Sequence, residues 1–286
     1  MDAYFKRYKI SYPVLTKIMV EDFVSHRDSE SDKTQHMRMS LIRQFALFMN
    51  RIGFNFYVYP NTHIPITKSF TPYIFTHDEI KRITNVVDNL SYIPQSKYYH
   101  LIYPMLFRML YGCGLRINEA LSLKKSEVDL MNGILTITKA KNGMSRLVPM
   151  SCSLTDFCKR YVENMGFDMS SGGYYYSSRD GWKYNRKPVY VKFKQFMKLA
   201  GIFPEGSVGP RVHDIRHTYA VHALEKMVNE EQDVYCTLPI LSTYLGHRGI
   251  ESTEKYLRLT KESYNHIINS IAPLYADVFP EVLQHE

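Results

Sequence analysis

The chain has 286 residues, of which 45% are apolar and 22% charged, enough to bury a core and about right for one large or two unequal domains. The balance of 36 Lys and Arg against 28 Asp and Glu gives a formal charge of +8, which favours a polyanionic partner, either nucleic acid or an anionic membrane surface. The membrane is the weaker of the two, because no run reaches the roughly 18 apolar residues that a span needs, and Asp2, Lys6, Arg7 and Lys9 break up any signal-like start.

Taken in chain order, Val14, Ile18, Met19 and Phe23 recur at helical spacing, and Met37, Leu41, Ile42, Phe45, Phe48, Met49 and Ile52 do so more strongly, up to Gly53. Arg38, Arg43 and Arg51 project from the second helix at other angles, and residues 1–75 carry 10 basic and 6 acidic side chains, a surplus of four. The reading is a small helical domain over residues 1–60 with a basic face, on which Arg38 and Arg43 are candidate DNA contacts. Pro60, Pro65 and Pro72 then punctuate a connector, residues 61–76, that cannot be helical throughout. Thr76 and Glu79 have capping-box spacing and open the second domain, residues 77–286.

A helix is predicted over about 97–111, ending at Gly112 and Gly114, and a short one over 116–123. Between 126 and 150 the period changes, and the pairs Asn132-Gly133 and Asn142-Gly143 mark two hairpin turns, hence a three-stranded antiparallel sheet. Further helices are predicted near 153–165, 188–200, 214–228, 238–245, 252–258 and 261–272, with a polar, aromatic loop over 170–187 and a rather long link over 228–237. The four cysteines, Cys113, Cys152, Cys158 and Cys236, form no C-x-x-C pair and have no zinc spacing. They read as reduced thiols of a cytoplasmic protein.

Three stretches carry candidate chemistry. Gly112-Cys113-Gly114 precedes Arg116, with Glu119 three residues on to orient it. His213 and Arg216 stand three apart at a helix start, where side chains share a face and exposed N–H groups favour a phosphate. Leu245-Gly246-His247 is followed nine residues later by Tyr256.

These stretches resemble the tyrosine recombinase (phage integrase) family. The run Gly114-Leu115-Arg116-Ile117-Asn118-Glu119-Ala120-Leu121 is similar to the family's first box, and His213 with Arg216 to its H-x-x-R box. Leu245-Gly246-His247 and Tyr256 match its L-G-H and nucleophile at the family's spacing, and Lys141, ahead of Arg146-Leu147-Val148-Pro149, aligns with its hairpin lysine. The resemblance covers about residues 77–260. It implies a mainly α fold with a small antiparallel β-sheet, arranged as a two-domain DNA clamp of a helical core-binding domain and a catalytic domain.

By that resemblance Tyr256 attacks a phosphodiester and forms a 3′-phosphotyrosyl link, while Arg116, Arg216 and His247 hold the phosphate. Lys141 protonates the leaving oxygen, and His213 either accepts the phenolic proton or binds the phosphate. Glu119 supports Arg116, and Lys139 and Arg146 are further candidate DNA contacts. His217 and His222 read as structural. No metal or cofactor is implied, and the sequence has no P-loop and no metal-spaced carboxylate cluster. The implied partner is double-stranded DNA, with a homo-tetramer assembled on two sites, in a phage, transposon or resolution system. Two other readings stand beside this one: a type IB topoisomerase-like relaxing enzyme, and a non-catalytic architectural DNA-binding protein. The apolar tail stripe through Ile267, Ile268 and Ile271 packs either on its own domain or on a neighbouring subunit.

Overall fold

A computed structural model of the chain describes residues 14–61, 71–138, 145–177, 181–202, 209–247, 249–254 and 256. The chain divides into two compact units, Met1–Thr71 and Pro72–Glu286.

In the first unit, α1 (Lys17–Val24) and α2 (Asp32–Arg51) start at Thr16 and Ser31, whose hydroxyls accept the N–H groups of Met19 and Thr34. They enclose Leu15, Met19, Val20, Phe23, Val24, Ile42, Ala46 and Phe56. Asn50 ties the following chain back to α2: its amide donates to the Phe56 carbonyl (3.0 Å) and accepts the Phe56 N–H (2.6 Å). The apolar run of α2 is only partly a core face. Ile42 is buried and Phe45 and Met49 pack against the core, whereas Met37, Leu41, Phe48 and Ile52 are exposed.

The expected basic face also changes. Arg38 turns inward, pairing with the largely buried Glu30 and donating to the carbonyls of Phe23 and Ser25. Its guanidinium is committed to closing the turn between the helices, so Arg38 is a structural arginine here rather than an outward DNA contact. Arg43 is half-buried and donates to the Tyr59 carbonyl at 2.6 Å.

The second unit opens with α3 (His77–Asp88) behind a complete capping box, in which Thr76 accepts the Glu79 N–H and Glu79 accepts the Thr76 N–H. Helices α4 (Tyr99–Gly112) and α5 (Ile117–Ser122) follow. Strands β1 (Val128–Asp129), β2 (Ile134–Ile137) and β3 (Arg146–Pro149) make an antiparallel sheet in that order, with Leu135 opposite both Val128 and Val148. At the first hairpin, Asp129 accepts the N–H groups of Met131 and Asn132 at 2.9 Å each. The turn expected at Asn142-Gly143 lies outside the described residues, as does the helix expected over 261–272.

Helices α6 (Cys152–Met165), α7 (Arg186–Leu199), α8 (Val212–Asn229), α9 (Val234–Leu245) and α10 (Glu251–Glu254) complete the described unit. The link between α8 and α9 is shorter than expected, because α9 begins one turn earlier, ahead of Pro239. Pro239 is the sixth residue of this helix, so it removes one N–H donor from the helical ladder.

The main core joins α4, α7 and the aromatic loop. Tyr103 and Phe196 meet edge to face at 5.2 Å, and Tyr175 and Tyr176 are completely buried. These two tyrosines pack their loop onto the core. A second cluster joins α8 and α9 through Ala220, Val221, Leu224, Leu238, Leu241 and Leu245, and Tyr256 closes it.

Between α4 and α5 the chain turns at Gly114, with φ +57°, and a Cβ there would stand 2.4 Å from the Tyr219 ring. Gly114→Ala adds backbone strain and a ring clash, and is expected to cost at least about 1–3 kcal/mol. The check is a lower urea midpoint for the second unit; an unchanged midpoint would contradict this packing.

Candidate active site

Three described stretches converge on one carboxylate. Arg116 is the N-cap of α5, and Glu119 accepts both its backbone N–H (2.9 Å) and its Nη1 (2.7 Å). Arg146 comes in from β3 and donates to the same carboxylate through Nη1 (3.2 Å) and Nη2 (2.9 Å), and through Nε to the Tyr244 carbonyl (2.8 Å). Arg216, from the first turns of α8, lies 3.8 Å from Glu119. The Glu119 side chain is 2% exposed. Burial by itself would raise its carboxyl, but hydrogen bonds and the field of Arg146, joined by Arg116, outweigh that and hold it at about 2.

Arg216 is itself 2% exposed. Its Nη1 donates to the Gly114 carbonyl (2.7 Å) and its Nη2 to the Leu245 carbonyl (2.5 Å). Those carbonyls belong to the turn before Arg116 and to the end of α9 before His247. Burial, then the nearby Arg116, lowers the Arg216 guanidinium to about 10, which leaves it cationic at physiological pH. Gly246, with φ +65°, lets the chain pass over Arg146: a Cβ there would sit 2.9 Å from the guanidinium. The Gly246 carbonyl also accepts from Arg116 (3.3 Å).

Around these cations stand three histidines and the tyrosine. The rings of His213 and His217, one turn apart on α8, meet edge to face at 4.7 Å. Nδ1 of His217 is 2.9 Å from the Tyr256 phenolic oxygen. His247 lies nearly parallel to the Tyr256 ring at 6.2 Å, and its Nδ1 is 2.8 Å from the hydroxyl of the fully buried Thr253. A Thr253 hydroxyl that donates to Nδ1 leaves the imidazole proton on Nε2, a donor for an anion.

Burial and the surrounding arginines lower the His247 imidazole to about 4. The same causes, with His217 as a neighbour, lower His213. His213 is open to solvent, and water weakens that effect. Tyr256 is 5% exposed. Burial raises its phenol while Arg216 and Arg116 pull it down.

Of the residues singled out in the sequence, Arg116, Glu119, His213, Arg216, His247 and Tyr256 therefore occupy one neighbourhood of the second unit. Lys139 and Lys141 lie outside the described residues. Arg146, expected to meet DNA at a strand end, is a correction. Its side chain is 7% exposed, and its donors reach Glu119 and Tyr244, so it braces the site from behind. His217 reads as structural in the sequence, yet among the described residues it is the hydrogen-bond partner of the phenol. Its place directly after Arg216, one helical turn beyond His213, is the signal that the sequence offered.

Residues 74–263 match the model of the phage integrase family. An integrase/recombinase of Sinorhizobium fredii, y4rB, is 32% identical over 77% of this chain and 72% of its own length. The tyrosine recombinase XerA of Thermococcus kodakarensis is 29% identical over 67% of this chain, and the match spans 60% of that relative. Among solved structures, the XerH site-specific recombinase bound to its palindromic difH substrate aligns with a TM-score of 0.68 at 17% identity, over 96% of this chain and 76% of that one. The Tn1549 transposon integrase in complex with transposon right-end DNA aligns with 0.65 at 16% identity, over 95% and 92%. The structural likenesses establish the fold: mainly helical, with one small antiparallel sheet. With about two thirds of this chain matching the family model and y4rB similar over most of both chains, the protein belongs to the phage integrase family of tyrosine recombinases, enzymes that cut and rejoin DNA strands.

Proposed function

We propose that this chain cuts and rejoins DNA at a specific site through a 3′-phosphotyrosyl link to Tyr256, with Arg116, Arg216 and His247 on the scissile phosphate. The observation that carries the proposal is the convergence of Arg116, Arg216 and the stretch bearing His247 and Tyr256, which lie 31 or more residues apart in the chain, on arginines gathered at one buried carboxylate. Three guanidiniums against one Glu119 leave two uncompensated positive charges. A phosphodiester has one negative charge at rest and about two in the phosphorane-like transition state, so this excess favours the transition state more than the ground state. His213, exposed beside Arg216, is free to donate to a phosphate oxygen, and Lys141 is the proposed acid for the leaving 5′-oxygen.

The phosphotyrosyl bond retains the energy of the phosphodiester, so a free 5′-hydroxyl from another strand can attack it, with Tyr256 as the leaving group, without an external energy source. The first unit serves as a helical DNA-binding domain with Arg43, and Lys139 adds a contact on the hairpin. Recombination between two duplexes calls for four protomers, one for each strand cut. A mobile element, resident with its DNA in the cytoplasm, fits relatives that include a transposon integrase. The relatives' names are those of integrases and recombinases, which favours strand exchange over relaxation of a single duplex or a non-catalytic role.

On a nicked suicide duplex, wild-type protein should form a covalent DNA adduct resistant to denaturant, and Tyr256→Phe should form none. Arg116→Ala should slow adduct formation by roughly 100- to 1,000-fold, the effect of removing one oxyanion-type donor. An adduct from Tyr256→Phe would remove the proposed nucleophile.

The same electrostatics limit acid stability. Unfolded histidines bind protons below about 6.5, whereas His247 in the folded protein resists until about 4, with His217 lowered in the same direction. Glu119 takes up its proton near 4.5 when unfolded but only at about 2 when folded. In both cases the unfolded state binds more protons, so stability is present above the unfolded values and is lost on acidification. Urea midpoints of the free protein should fall steadily from pH 7 to 4; a flat or rising trend would contradict the charge state of the site.

A further inference from the structure

We propose that His217, rather than His213, takes the phenolic proton of Tyr256 when the tyrosine attacks, and returns it when the strand is rejoined. This rests on the recombinase reading above and assigns one of its proton transfers. Among the described residues, the hydrogen-bond partner of the phenolic oxygen is His217 Nδ1, at 2.9 Å. That is within the reach required of a general base before any rearrangement. The competing histidines are otherwise placed. His247 spends Nδ1 on Thr253 at 2.8 Å, and His213 stands exposed, with its ring against the edge of His217.

The surroundings suit a base. Burial keeps the Tyr256 phenol protonated at rest despite Arg216 and Arg116, so its proton must leave during attack. Burial also keeps His217 neutral, opposed by the charge of Asp214. Asp214 is 1% exposed and is held by the Arg211 N–H (2.8 Å) and guanidinium (3.0 Å). A buried carboxylate one turn before the imidazole has little effect on the neutral ring and stabilises it once protonated.

The Tyr256 oxygen bonds to phosphorus as the bond from phosphorus to the 5′-oxygen breaks. The phenolic proton passes to Nδ1 of His217, and the departing 5′-oxygen takes a proton from Lys141. In rejoining, the 5′-hydroxyl attacks, Lys141 recovers its proton, and His217 returns one to the phenolate as it leaves. His217 thus acts on the nucleophile's side of the phosphorus and Lys141 on the leaving group's side.

That division gives the test. The full chain reacts in single turnover, at saturating DNA, with suicide duplexes carrying its crossover site, recovered by sequencing DNA trapped on the wild-type protein. One duplex has the normal 5′-oxygen at the scissile phosphate and the other a 5′-sulfur, which leaves without protonation. His217→Ala should slow adduct formation by about 100-fold or more, within the usual range for general acid–base catalysis, and the deficit should persist with sulfur. Lys141→Ala should be slow with oxygen and recover with sulfur. His217→Asn keeps a polar partner for the phenol but cannot bind a proton, so it should be as slow as His217→Ala; its urea midpoint reports whether it folds. Wild-type rates in His217→Asn, or recovery of His217→Ala with sulfur, would overturn the assignment. Failure of wild-type protein to form an adduct on either duplex would instead overturn the recombinase reading.

Discussion

The catalytic unit is organised around the buried carboxylate of Glu119. Guanidiniums from α5, β3 and α8 could not approach one another in a desolvated pocket without a counter-charge, because like charges at such distances repel strongly where the dielectric is low. Glu119 supplies that charge to Arg116, Arg146 and Arg216 together. Because one carboxylate does not neutralise three cations, the resting site stays short of negative charge, which is what the proposed phosphate would supply. The carboxylate thus does two opposed things: it makes the cluster foldable and leaves it unsatisfied.

Arg216 extends that constraint through the backbone. By donating to the carbonyls of Gly114 and Leu245, it fixes the turn that presents Arg116 and the helix end that presents His247. A side chain with only 2% exposure has few alternative positions, so distant parts of the chain are brought into register by hydrogen bonds with defined directions. The apolar cluster of α8 and α9 then seats Tyr256 against the same helix. Preorganisation of this kind places donors before charge develops, which is where most of their catalytic value lies.

Much of this was legible in the sequence, for identifiable reasons. The capping box at Thr76 and the first hairpin, at Asn132-Gly133, follow from local rules, since cap spacing and Asn-Gly turns act over a few residues. The four boxes were legible because their order and spacing resemble a family. What escaped depends on partners far away in the chain. Arg146 read as a surface cation because its partner Glu119 lies 27 residues earlier, and Arg38 did so because Glu30 and two carbonyls of α1 and its turn capture it. The exposed stripe of Met37, Leu41, Phe48 and Ile52 shows the limit of periodicity, which tells which residues share a face but not whether that face is covered. His217 was passed over because its role comes from Tyr256, 39 residues on.

The central claim is that the phosphate captured by this cluster becomes bonded to one particular phenol. Mass spectrometry of the trapped protein–DNA adduct, digested with nuclease and trypsin, addresses it directly. Cleavage after Lys255 and Arg258 releases the tripeptide Tyr256-Leu257-Arg258, and the account predicts that this peptide carries the nucleotide phosphate. A nucleotide found instead on a peptide bearing Tyr244 or Tyr264, with the Tyr256 peptide unmodified, would contradict it.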